Sequence, residues 1–165
     1  MQNKKMMNKK VIFVVNTGFT VTNFRKELVS DFIAKGFEVL VLCPEECSLI
    51  QGGKLACRLT DMGLKLIPIE ITRQGLNPIS DLKLFFSLFQ IFRKEKPTVV
   101  LNYTIKPIIY SSIAARLCGV EKILSTVTGL GYIFTDTSLK ARVIQSIVRW
   151  QYFIAFKCNK TIFFQ

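Results

Sequence analysis

The chain has 165 residues, half of them apolar and 21% charged, which suits one packed domain and excludes a disordered or solvating segment. Lys and Arg number 23 against 11 Asp and Glu, for a net charge of +12 with no histidine. That balance favours an anionic partner (nucleic acid, a lipid surface or a phosphorylated substrate), while histidine-based nucleophile pairs, general bases and metal sites are excluded.

The first ten residues, MQNKKMMNKK, form a basic tail. They lack the long apolar stretch and small-residue cleavage site of a signal peptide, so the expected compartment is the cytosol. The longest run without a charged residue, 11–24, is 14 residues and contains Asn16, Gly18 and Asn23; a membrane-spanning helix needs roughly 20 apolar residues. Apolar runs at Val11–Val15, Glu38–Leu42, Lys65–Ile69, Val99–Asn102, Lys122–Thr126 and Thr161–Phe164 predict strands, most of them covered on both faces. Between them, helices are predicted at Asn23–Lys35, Leu49–Met62, Pro78–Lys96, Pro107–Cys118 and Ser138–Lys157. In the first, Phe24, Leu28, Phe32 and Ile33 fall on one face. Gly36, Gly63 and Gly119 each precede an apolar residue and a strand, the pattern of a left-handed helix cap. Asn77-Pro78 opens a helix and Lys96-Pro97 ends it. The five cysteines, Cys43, Cys47, Cys57, Cys118 and Cys158, are scattered without a C-x-x-C pair and read as reduced, small apolar side chains, with no metal or cofactor expected.

The alternation predicts an α/β fold: a doubly wound, mostly parallel, six-stranded Rossmann-like sheet forming a single domain over 11–165. Such sheets bind ligands beyond the carboxyl ends of the strands, near the reversal of strand order. The loops after strands one, four and five are therefore the places to look. The first, Asn16-Thr17-Gly18-Phe19-Thr20-Val21-Thr22-Asn23, is rich in hydroxyls and amides and enters a helix. Its N–H groups suit a phosphate or sugar oxygen; the alternative is that Thr22 or Asn23 is a plain helix cap. It has a single glycine, and Leu42-Cys43-Pro44 offers no acid for a ribose, so a dinucleotide fingerprint is absent. The loop after strand four carries Thr104 and Lys106; that lysine is either an anion ligand or an ordinary solvated charge. After strand five, Thr128-Gly129-Leu130-Gly131 allows close backbone approach to a ligand or a tight turn.

Taken together, VVNTGFTVTNFRKELV, TRQGLNPISDLKLF, LNYTIKPIIYSSIAARLCGV and TVTGLGYIFTDTSLKARV resemble the N-terminal half of family 4 glycosyltransferases of the GT-B fold, over about Val11 to Gln165. The nearest group adds hexose or N-acetylhexosamine to polyprenyl-diphosphate-linked acceptors in capsule, O-antigen or glycoprotein glycan assembly. The resemblance implies a retaining transfer from a nucleotide sugar, UDP-linked in most such enzymes. It implies an acceptor site drawn from Asn16, Thr17, Gly18, Thr22, Asn23, Arg25, Thr104, Lys106, Thr128, Gly129, Leu130 and Gly131. Many relatives carry a histidine after strand five where this chain has none, and no catalytic residue is assigned. The family's nucleotide-sugar site belongs to a second domain, which this sequence is expected to lack. A stand-alone acceptor-binding or membrane-recruiting subunit of a two-chain enzyme is the alternative.

Two helical segments have an amphipathic or wholly apolar character. Ser138–Lys157 carries Lys140, Arg142, Arg149 and Trp150 without an acid, and Asp81–Lys96 carries Phe85, Phe86, Phe89 and Phe92. Either they pack on the sheet with basic backs in water, or they meet an anionic membrane surface, which would place the protein on the inner face of the cytoplasmic membrane. Nucleic-acid binding is not expected, because the basic residues are spread rather than clustered with aromatics.

Overall fold

Continuous apolar runs need cover on both faces, and the sheet they build has it over most of its width. The structure, a computed structural model, describes residues 9–44, 54–72, 77–129 and 138–165, side chains at 54–57 and 139–141 excepted. Six strands, β1 (Lys10–Val14), β2 (Glu38–Cys43), β3 (Lys65–Pro68), β4 (Val99–Tyr103), β5 (Lys122–Val127) and β6 (Thr161–Phe164), lie in the order β3-β2-β1-β4-β5-β6. Every pairing is parallel; Ile12, for example, sits between Leu40 and Val100. Strand order therefore reverses between β1 and β4, and a crevice is expected above that junction.

The helices are α1 (Phe19–Phe24), α2 (Lys26–Ala34), α3 (Lys54–Asp61), α4 (Pro78–Glu95), α5 (Ser112–Leu117) and α6 (Leu139–Cys158). Alternate β1 residues face opposite layers. Val11, Phe13 and Val15 pack with Val29 of α2 and Leu59 of α3, whereas Ile12 and Val14 pack with Leu84, Leu88 and Phe92 of α4 and Ala114 and Ala115 of α5. Val148 and Tyr152 of α6 join Ile108, Ile109 and Val127 in a third cluster. The right-handed crossover rule accounts for this arrangement: reversing direction after β3 moves the following helices to the other face.

The three glycine caps form as expected. Gly36, Gly63 and Gly119 have φ of +77°, +75° and +78°. The next N–H groups, Phe37 to Phe32 O (3.0 Å), Leu64 to Leu59 O (2.9 Å) and Val120 to Ala115 O (3.0 Å), close the six-residue loop of a Schellman motif. Asn77 accepts from the Ser80 N–H at 3.2 Å to start α4, and Lys96 ends it in the left-handed region, φ 47°. Lys10 clasps the end of that helix through Glu95 at 2.7 Å. This hydrogen bond holds the Glu95 carboxyl below its ordinary range and raises Lys10. The share of stability from Glu95 is thus present above the usual carboxylate pKa and lost as pH falls through the lowered value.

Two helices differ from expectation. The one predicted at Asn23–Lys35 starts earlier and breaks at Arg25 (φ −131°, ψ 15°) into α1 and α2. Thr22 and Asn23 consequently lie inside α1 and not at its cap; the Thr22 hydroxyl donates back to Phe19 O at 3.3 Å, a local bond that short hydroxyl side chains favour. The segment after β4 begins as a π-helical turn, Pro107–Ser111, before α5.

That π turn brings two consecutive serines onto one buried asparagine. Asn102, in the centre of β4 and fully buried, accepts from Ser111 Oγ at 2.6 Å and donates to Ser112 Oγ (3.1 Å) and Ser125 Oγ (3.3 Å). Asn159, just before β6, accepts from Ser125 at 2.7 Å and donates to Ser112 at 2.8 Å and to Ala155 O at 2.7 Å. An unpartnered buried polar group costs about 1–3 kcal/mol, so Asn102→Ala, which strands several, should destabilise by about 2–4 kcal/mol. A urea-unfolding midpoint lowered with an unchanged m value is the expected result.

Candidate functional site

The loop after β1 begins the crevice. Gly18 is buried at the start of α1, with Asn16 and Thr17 half-buried beside it. The first-turn N–H groups are already engaged: Phe19 donates to Thr17 Oγ1 (3.4 Å), Thr20 to Thr17 O, and Val21 and Thr22 to Gly18 O. The N–H groups of residues 19–22 are thus turned back on the loop itself. What the loop offers a ligand is side-chain polarity.

A cation comes instead from the break between α1 and α2. Arg25 lies with its guanidinium 4.9 Å from the centroid of the Tyr103 ring, at the end of β4. It donates from Nη2 to Gln165 Oε1 at 3.1 Å and from Nη1 to Phe24 O at 2.9 Å. Tyr103 is itself stacked on Phe13, the rings 6.4 Å apart and 4° from parallel. Burial raises the Tyr103 phenol, while Arg25 and a hydrogen bond with Thr126 pull it back. Arg25 thus bridges the α1–α2 joint, the end of β4 and the residue after β6, its charge over an aromatic ring.

Next along the chain is Thr104, a β-branched residue at φ +72° whose hydroxyl is buried without a hydrogen-bond partner. Left-handed backbone is costly for such a side chain, on the order of 1–3 kcal/mol, and strain of this kind collects at ligand sites. Its carbonyl accepts from Ile108 N at 3.0 Å, tying it to the π turn, a distortion also common at functional sites. Lys106 is neither solvated nor bare. Its ammonium contacts Asp81 Oδ1 at 2.7 Å, with both side chains close to nine-tenths buried. Asp81 also bonds Tyr110; burial, then the Asp81 charge, pushes that phenol up to about 12. Beyond β5, Thr128 and Gly129 are exposed, and Gly129 has φ +144° with open space where a Cβ would stand. Leu130 and Gly131 lie outside the described residues.

The structure brings Asn16, Thr17, Gly18, Thr104, Lys106, Thr128 and Gly129 to the loops at the carboxyl ends of the strands, and Arg25 to the side of the same rim. Thr22 and Asn23 belong to α1. Sequence reasoning missed Asp81, Tyr103 and Gln165. An acid in the first turn of a helix is too ordinary to stand out, and the partners are 25 and 140 residues apart. The second surface is α6. Val143, Ile147, Trp150 (66% exposed) and Phe153 face outward along it, together with exposed Arg142 and Arg149. The side chain of Lys140 lies outside the described residues. On α4, Ile79, Leu82 and Phe86 are exposed while Phe92 is buried. Among the described residues no helix is long and apolar enough to cross a membrane.

The all-parallel sheet, its strand order reversing between β1 and β4, defines a Rossmann-like α/β domain of the kind found in GT-B enzymes. The family profile described as "Glycosyl transferase 4-like" matches residues 10–163, and the chain belongs to that family. It is similar to the N,N'-diacetylbacillosaminyl-diphospho-undecaprenol alpha-1,3-N-acetylgalactosaminyltransferase of Campylobacter jejuni, 26% identical over 88% of this chain and 37% of the relative. It is also similar to the UDP-Gal:alpha-D-GlcNAc-diphosphoundecaprenol alpha-1,3-galactosyltransferase of Escherichia coli, 28% identical over 74% of this chain and 29% of the relative. The chain therefore spans about a third of the length of these relatives. Among solved structures, MurG from Acinetobacter baumannii matches with a TM-score of 0.52 and 23% identity, over 72% of this chain and 33% of that one, a likeness of fold.

The Asp81–Lys106 pair makes a direct prediction. Removing one partner of a buried ion pair strands the other and costs about 3–5 kcal/mol, whereas an apolar pair of similar size is close to neutral. Asp81→Leu and Lys106→Met should each lower stability by about 3 kcal/mol, and the double variant should recover most of the loss in chemical denaturation.

Proposed function

We propose that this chain is the acceptor-binding part of a retaining glycosyltransferase that moves a sugar from a UDP-sugar to a polyprenyl-diphosphate-linked glycan, in capsule, O-antigen or glycoprotein glycan assembly. The observation that supports the reading is Arg25, a cation over the Tyr103 ring near the switch point of a chain whose two curated relatives both name a diphospho-undecaprenol substrate. In this reading Arg25 holds the acceptor diphosphate by charge-assisted hydrogen bonds. Thr104 turns its unpartnered hydroxyl to a diphosphate or sugar oxygen, and Asn16, Thr17 and Thr128 supply further polar contacts. Gly129 lets backbone approach the sugar, since a Cβ there would meet both a strained φ and the ligand. Lys106, its charge balanced by Asp81, shapes the loop. The nucleotide-sugar donor is held elsewhere than in residues 11–165.

The test is calorimetric titration of this chain with a farnesyl-diphosphate-linked N-acetylhexosamine and, separately, with UDP-sugars. The lipid-linked sugar should bind, and Arg25→Ala should weaken it by about tenfold or more, as the loss of a charged hydrogen bond worth roughly 1.5–3 kcal/mol requires. Micromolar binding of a UDP-sugar together with indifference to the lipid-linked sugar would refute the assignment.

The outward face of α6 supports peripheral membrane contact. Trp150, Val143, Ile147 and Phe153 share it with Arg142 and Arg149, the composition of an interfacial helix. Each basic residue near an anionic leaflet adds about 1 kcal/mol. The protein should sediment with vesicles containing anionic lipid more than with zwitterionic ones, and salt should weaken the attraction. Arg142→Gln with Arg149→Gln should cost about 2 kcal/mol of binding. Trp150 is the sole tryptophan, so a blue shift of its emission reports insertion of this face; equal, negligible binding to both vesicle types at low salt would contradict the contact.

A further inference from the structure

Two aromatic rings stand exposed beside Arg25 and have no place in the site as described so far. Phe19, the first residue of α1, is 40% exposed and Phe24, the last, is 66% exposed. Their ring centroids lie 6.1 Å apart at an interplanar angle of 77°. The helical pattern of the sequence would have turned Phe24 inward with Phe32; the break at Arg25, where there is neither proline nor glycine, turns it out. Phe32 alone of that face packs in an aromatic cluster, against Phe13 and Phe37. Leaving a phenylalanine two-thirds in water forgoes hydrophobic stabilisation, and an exposed apolar cluster beside polar groups marks a surface that takes a partner.

The two ends of this feature differ in chemistry. Arg25 follows Phe24 in the chain and donates to its carbonyl oxygen, and Phe19 follows directly on the Thr17–Gly18 loop. A ligand that suits both has an anionic head next to an apolar chain. A planar base would need a flat ring face to stack on, but an edge-to-face pair presents a corner, one ring's face and the other's edge, which fits a branched, non-planar hydrocarbon. We infer that Phe19 and Phe24 form the subsite for the isoprenoid units next to the diphosphate of a prenyl-diphosphate ligand. This rests on the acceptor reading of the crevice, with Arg25 at the diphosphate, and adds to it a grip on the lipid.

The experiment compares inorganic pyrophosphate, geranyl diphosphate and farnesyl diphosphate binding to the 165-residue chain by calorimetry, for the wild type, Arg25→Ala and Phe19→Ala with Phe24→Ala. Because both rings are exposed, the double variant should keep its fold, which circular dichroism and a thermal melt verify. Affinity of the wild type should rise with prenyl length, by about tenfold or more from pyrophosphate to farnesyl diphosphate. The double alanine variant should bind all three ligands alike, at the pyrophosphate level, while Arg25→Ala weakens all three. If chain length matters equally in the double variant, or not at all in the wild type, the isoprenoid subsite is overturned while Arg25 and the acceptor reading stand. If Arg25→Ala leaves pyrophosphate and farnesyl diphosphate binding unchanged, the acceptor reading fails and this inference with it. UDP is titrated as a fourth ligand; a loss of UDP affinity in the double alanine variant, with prenyl diphosphates unaffected, would reassign the corner to a nucleobase.

Discussion

The buried hydrogen bonding of Asn102 is the constraint on which the architecture of this half-open crevice turns. A parallel sheet covered by helices has little use for a polar side chain at its centre, yet Asn102 sits in β4 with its amide fully engaged. Through Ser111 and Ser112 it fixes the helix that leaves β4, through Ser125 it fixes β5, and through Asn159 the entry to β6. Tyr103 and Thr104 follow it immediately in the chain, so the position of the site is set by the same side chain. An apolar core of equal volume need not be less stable. What a fully satisfied network adds is a single arrangement of its parts, and a site built from loops on three strands requires that.

Most of the fold was legible in the sequence because its determinants are local. Strand runs such as Thr161–Phe164, the Gly caps at 36, 63 and 119, and the Asn77–Pro78 start depend on residues within one or two turns of each other. Handedness then reduces the possible strand orders to a few. The site was legible only as a place. The reversal between β1 and β4 pointed to the loops after β1, β4 and β5; Thr104 and Lys106 stand in one of them and Arg25 at the side of the same rim. Their states did not follow from the sequence, because each is fixed by a distant group: Arg25 by Tyr103 and Gln165, Lys106 by Asp81, Thr104 by the π turn behind it. The break at Arg25 was equally hidden, since Phe24, Leu28 and Phe32 have the spacing of an unbroken helix and no residue there interrupts one.

The exposed apolar residues divide into distinct settings. Ile79, Leu82 and Phe86 on α4 and Val143, Ile147, Trp150 and Phe153 on α6 belong to helices of the same layer. Phe24 belongs to the opposite layer, at the rim. A helix with apolar residues on more than one side has two surfaces to cover, and on α4 the sheet covers only the one that carries Leu84, Leu88 and Phe92. Charge is arranged likewise: Arg142 and Arg149 are exposed on α6, and Arg25 and Lys106 stand against Gln165 and Asp81.

The π-helical turn at Pro107–Ser111 has a consequence for how this sequence can vary. A wider turn accommodates a residue that a regular helix would have no room for, and it is this surplus that lets both Ser111 and Ser112 reach Asn102. Deleting one residue between Pro107 and Ser111 would restore ordinary helical winding and rotate everything after it by about 100°. The serines would swing away from β4 and the apolar residues of α5 out of the core. Buried side chains here can be exchanged only for others that fill the same space and keep the bond to Asn102, but the number of residues cannot change. Descendants of this chain should therefore keep the spacing between Asn102 and Ser112 more strictly than the identity of the residues in between.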